Sequence, residues 1–90
     1  MEEIHCNIRG RVQVVMFRDF VQRRAKRLGL SGWVKNLDDG SVELVAQGEK
    51  HQLEKLLKPL KKGPILANVE NVEVSWRKPK SEFESFQIIY

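Results

Sequence analysis

IRGRVQVVMFR, residues 8–18, changes its hydrophobic period partway along, and that change decides how the chain is read. Up to Val12 the pattern alternates. Ile4, Cys6, Ile8, Gly10 and Val12 share one face, and His5, Asn7, Arg9 and Arg11 share the other. A period of two predicts a half-buried strand over 4–12. From Phe17 onward the period lengthens. Phe17, Phe20, Val21, Ala25 and Leu28 fall on one stripe, which predicts a helix over 17–28 with Gly29 as its stop. The intervening residues 13–16 must therefore form a loop that delivers a strand directly into a helix start. Such a turn carries the unpaired N–H groups of the first helical turn and the positive end of the helix dipole, a favourable place for an anion.

Working outward, two more strands are expected at 33–37 and 41–47, joined by Asp38-Asp39-Gly40, a hairpin signal. A second helix is expected over 49–61, with Leu53, Leu56, Leu57 and Leu60 as its core stripe and Gly63-Pro64 as its end. Pro59 lies in its last turn and is expected to shorten it. Val72, Val74 and Trp76 alternate in a fourth strand, and Phe86, Ile88 and Tyr90 alternate in a last one. The order β-α-β-β-α-β, with an added final strand, predicts an α+β, ferredoxin-like βαββαβ sandwich. Two helices would cover one face of an antiparallel sheet. Residues 1–90 are expected to form a single domain.

Composition narrows the function classes without choosing among them. Sixteen Lys and Arg against twelve Asp and Glu give a net charge of +4, which favours anionic partners. No apolar run approaches the roughly 18 residues of a membrane span. The start, Met-Glu-Glu-Ile-His, lacks a signal-peptide pattern, and Cys6 is the single cysteine, so a cytoplasmic location is expected. There is no CxxC or HExxH, and His5 and His51 are distant in sequence, so neither metal nor cofactor is expected. An RNA-binding ferredoxin-like module is an alternative. Arg23, Arg24, Lys26 and Arg27 would supply charge, and Trp33 and Trp76 aromatic surface, but no RNA signature of the Lys/Arg-Gly-Phe type is present.

Two side chains are candidates for chemistry. Arg18 lies in the first turn of the first helix, where its planar fork could fold over an anion held by the loop. It could equally be a solvated residue beside the apolar stripe. Asn36 ends the second strand just before the hairpin, where asparagine also serves as an ordinary turn residue.

Taken together, IRGRVQVVMFR (8–18) and GWVKNLDDGSVELVAQG (32–48) resemble the two signatures of the acylphosphatase family. Gly32, Trp33, Val34, Lys35, Asn36, Gly40, Val42 and Gly48 stand at the family spacing, and FESFQIIY resembles its closing strand. The resemblance implies hydrolysis of carboxyl-phosphate anhydrides to a carboxylate and inorganic phosphate, without metal or cofactor. It implies that the backbone of Gln13, Val14, Val15, Met16 and Phe17 cradles the phosphoryl group. Arg18 would bind phosphate and Asn36 would orient the attacking water. It further implies a small acyl phosphate as partner, phosphate or sulfate as a product-like ligand, no nucleic acid and no membrane; a monomer is expected.

One position departs from the pattern: the family has glycine where this chain has Val14. If that position needs positive φ, valine strains it by about 1–2 kcal/mol; if not, only its methyls matter. An active enzyme, a weakened one, and an inactive anion-binding domain all remain open at this point. Finally, the carboxylate of Tyr90 is expected to reach Arg18 and restrict it.

Overall fold

The computed structural model describes residues 1–14 and 16–90. Its elements are β1 (Glu2–Arg11), α1 (Phe17–Arg27), β2 (Ser31–Asn36), β3 (Val42–Gly48), α2 (Lys50–Lys62), β4 (Asn68–Arg77) and β5 (Phe86–Ile89). The strands form one sheet in the order β4-β1-β3-β2-β5. The first four pair antiparallel, as expected. The last, β5, adds to the β2 edge in parallel register, Gly32 opposite Phe86 and Lys35 opposite Ile89, so the sheet is mixed. The chain reaches that far edge through residues 78–85, which carry it from β4 past three strands.

Both helices pack on one face. The inward side chains Ile4, Cys6, Ile8 and Val12 of the first segment meet Phe17, Val21 and Ala25 of α1 and Leu53, Leu56 and Leu60 of α2. These are the positions that the two periods select. Leu57 and Phe20 are only half-buried at the stripe edges. Burial pushes the Cys6 thiol up to about 12, which keeps it an inert core residue.

Helix α1 ends where Gly29 stands. The N–H of Leu30 donates to the Ala25 carbonyl, and that of Gly29 to Lys26. These two bonds close a Schellman motif. Pro59 does not shorten α2, which runs to Lys62 before Gly63. Proline forfeits one bond there, but its locked φ is already helical.

Two signature glycines have visible reasons. A Cβ on Gly10 would stand 2.2 Å from the Asn68 carbonyl oxygen, at the bulge where the β1–β4 register slips. One on Gly32 would stand 1.9 Å from the Val45 carbonyl oxygen. The bulge bends the end of β1 just before the loop leaves the sheet.

Candidate functional site

The end of β1, the start of α1, the end of β2 and the end of β5 meet at one end of the sheet. They enclose an open cleft of about 440 Å³ lined by Gln13, Val14, Met16, Arg18, Asn36 and Tyr90, with Asp19 and Ile88 completing it. Five of the seven candidate site residues, and Tyr90, therefore face one space, although Asn36 and Arg18 lie on different elements. The topology is responsible: β1 and β2 run in the same direction, both paired antiparallel to β3. The loop after β1 and the last residue of β2 thus emerge at the same end.

Arg18 is half-buried and held by the last strand. Its Nη1 donates to the Ile89 carbonyl at 3.3 Å, and its guanidinium lies 4.8 Å from the centre of the Tyr90 ring. Tyr90 does reach Arg18, but through its ring, with Ile89 supplying the polar contact, rather than through a carboxylate ion pair. Stacking leaves the charge of the guanidinium intact and uses one of its five donors at Ile89. The form of this contact, ring and Ile89 carbonyl in place of a carboxylate, depends on the parallel pairing of β5.

The side chain of Gln13 makes a contact that the sequence reading did not include. Its side-chain Nε2 donates to the carbonyls of Leu37 at 2.6 Å and Ser41 at 2.8 Å. It thereby ties the loop to the hairpin that follows Asn36. The hairpin is itself braced: Leu37 N–H donates to the Ser41 carbonyl, and the Ser41 N–H and hydroxyl both donate to Asp39. The Ser41 hydroxyl and amide bonds hold the Asp39 carboxyl below its usual value. Asn36 is exposed at the cleft wall.

Phe17 does not face the cleft. Its ring is buried in the core, and its N–H donates to the Val14 carbonyl at 3.1 Å, so that amide is engaged in the turn. Val15 lies outside the described residues.

The concern about Val14 applies instead to a residue two positions on. Among the described non-glycine residues, positive φ occurs at Met16 (φ 77), the N-cap of α1. Val14 packs its half-buried side chain against the core cluster. The left-handed residue is thus the unbranched one, whose cost is about 1–2 kcal/mol, and the β-branched valine is spared. Among the described residues no three His, Cys, Asp or Glu side chains come together as metal ligands would. Trp33 and Trp76 do not share a face: Trp76 pairs with the core residue Ile4, whereas Trp33 neighbours the core residue Val34 along β2 and points the other way. They therefore form no common platform for stacked bases. Among the described residues no helix is long and apolar enough to cross a membrane.

Comparison with known proteins agrees with this geometry. The family model described as Acylphosphatase matches residues 4–88. The chain is similar to an acylphosphatase of Thermus thermophilus, 56% identical over 76 residues, covering 84% of this chain and 86% of that one. An acylphosphatase of Salinibacter ruber is 45% identical over 87 residues, 97% of this chain and 92% of that one. The crystal structure of acylphosphatase from Bacillus subtilis superposes with a TM-score of 0.96 at 37% identity, over the whole of both chains. With the family model matching most of the chain, and with these relatives and this fold, the chain belongs to the acylphosphatase family.

Proposed function

We propose that the cleft hydrolyses acyl phosphates, with Arg18 and the N–H groups of the loop and first helical turn holding the phosphoryl oxygens and Asn36 orienting water. The supporting observation is the convergence of Arg18 and Asn36, 18 positions apart in sequence and on different elements, on one cleft at a helix start. Water attacks phosphorus, the new P–O bond forms, and the P–O bond to the acyl oxygen breaks. Its electron pair leaves with the carboxylate, and the water proton passes to phosphate or solvent. The leaving carboxylic acid has a pKa near about 4, so it departs as an anion at neutral pH and needs no proton donor. Positioning and charge stabilisation then suffice, which suits a cleft whose chemistry rests on an arginine and an uncharged amide. Asn36 can hold water without repelling the incoming dianion, and the positive net charge draws that dianion in. The protein works on small acyl phosphates in the cytoplasm, as a monomer, with inorganic phosphate as its product-like ligand.

The test is steady-state hydrolysis of acetyl phosphate. Arg18→Ala and Asn36→Ala are each expected to lose about 100- to 1,000-fold in rate while keeping the parental thermal unfolding temperature. Near-parental turnover by either folded variant would remove that residue from the reaction.

A further inference from the structure

A second groove adjoins the cleft. One wall is the N-cap and first turns of α1, carrying Met16 and the half-buried Phe20. The other is the segment 64–66, carrying Ile65 and Leu66. It holds about 300 Å³, the lower end of the range for small-molecule sites. Met16 and Asp19 line both spaces, so the groove lies directly beside the cleft. Its surface is unusually apolar for an exposed place: Ile65 is 98% exposed, Leu66 69% and Met16 60%. Single exposed apolar residues need no explanation, but three gathered along one groove mark a contact site. Three arginines, Arg23, Arg24 and Arg27, also line the groove, and two of them are held against it. Arg23 pairs with Asp19 at 2.9 Å, and Arg24 lies 4.5 Å from the centre of the Phe20 ring.

The proposed reaction supplies the occupant. In an in-line displacement the leaving oxygen departs opposite the attacking water. Asn36, at the end of β2, and Met16, at the N-cap of α1, line the same cleft, so with water held at Asn36 an acyl group leaving on the Met16 side enters the groove. Phe20 follows one helical turn later, about 6 Å along the axis, within the span of an aromatic or branched acyl group. Arg27, about 16 Å along, lies beyond it.

We infer that this groove is an acyl-side subsite that selects apolar, and especially aromatic, acyl groups through Met16, Phe20, Ile65 and Leu66. The inference rests on the hydrolase reading above. Contacts to a part of the substrate that does not react lower KM and leave the chemical step unchanged.

The experiment compares benzoyl phosphate with acetyl phosphate, using the parent and the double variant Ile65→Ser/Leu66→Ser. Both replaced side chains are exposed and lie outside the cleft, and circular dichroism checks the fold. KM for benzoyl phosphate is expected to rise about tenfold in the variant with kcat unchanged, while acetyl phosphate kinetics stay parental. If the double variant fails to fold, Ile65→Ser alone carries the same test with a smaller expected shift. An unchanged benzoyl-to-acetyl ratio in kcat/KM, or an equal loss on both substrates, overturns the subsite alone. A parent that hydrolyses neither substrate overturns the hydrolase reading and the subsite with it.

Discussion

The two ends of the sheet use polar side chains in opposite ways. At the end away from the cleft, Gln47 is 1% exposed and fully bonded. Its Nε2 donates to Glu3 Oε1 at 2.8 Å and to the Ser81 carbonyl. Its Oε1 accepts from the Phe83 N–H at 3.0 Å and from the Ser31 hydroxyl at 3.5 Å. Arg77 completes the set by donating to Glu3. At the cleft end, Asn36 is exposed and Arg18 has one long hydrogen bond. The same chemical groups serve structure where their bonding capacity is used up and chemistry where it is kept for a ligand. The first network also explains how residues 78–85 are fixed on their path to the β2 edge, and so why β5 arrives to seat Arg18.

That contrast can be broken at its structural end. Gln47→Ala removes an amide that satisfies two donors and two acceptors and leaves Glu3 short of a partner in a buried place. We expect a loss of about 2–3 kcal/mol in chemical denaturation, with turnover per folded molecule close to parental. A variant that kept its stability but lost activity would show that the two ends are not separable in this way.

Glu3 offers a second, smaller test. Burial pushes its carboxyl up, but the bonds from Gln47 and Arg77 outweigh that effect and leave its pKa below the ordinary 4.5. A carboxylate with a lowered folded pKa contributes stability that is fully present above the unfolded value and is lost as pH falls through the folded one. Arg77 is half exposed, which weakens its share through solvent screening. Glu3→Gln is therefore expected to cost about 1–2 kcal/mol at neutral pH. Denaturation measured from pH 7 downward should show the gap to the parent narrowing once pH drops below about 4.5. A gap independent of pH would assign the loss to packing or geometry rather than to the charge.

Much of this architecture was legible in the sequence because the core obeys simple periods. Ile4, Cys6, Ile8, Val12 and then Phe17, Val21, Ala25 announce a strand becoming a helix, and all seven are buried. Arg18 and Asn36 could be named from motif spacing, since β1 and β2 run parallel and bring both to one end. Other features depend on partners distant in sequence. The parallel pairing of β5, the seat of Arg18 on Tyr90 and the fourfold bonding of Gln47 involve separations of 16 to 72 residues or arise from the crossover at 78–85. No local pattern encodes them. The left-handed conformation at Met16 was also hidden. Glycine in the family pattern drew attention to position 14, whereas the turn places its strain two residues later, on a side chain with no branching to resist it.

Gln13 joins the two halves of the cleft and gives the mildest way to sharpen the contrast. It is exposed, yet its amide bridges the Leu37 and Ser41 carbonyls, adjacent to Asn36. In the proposed reaction it would act as a positioning residue, holding the loop after β1 against the strand end that carries Asn36. Gln13→Ala should lower kcat about tenfold, a cost of about 1.4 kcal/mol in the barrier, with little change in overall stability. Gln13→Glu separates positioning from bulk. The carboxylate has nearly the same shape but no N–H to donate, and it faces two carbonyl oxygens. If the side chain worked only by filling space, the Glu variant would match the parent. If it works by donating, the Glu variant should fall below Ala in kcat, and its rate should recover toward that of Ala as acidic pH protonates the carboxyl and restores a donor.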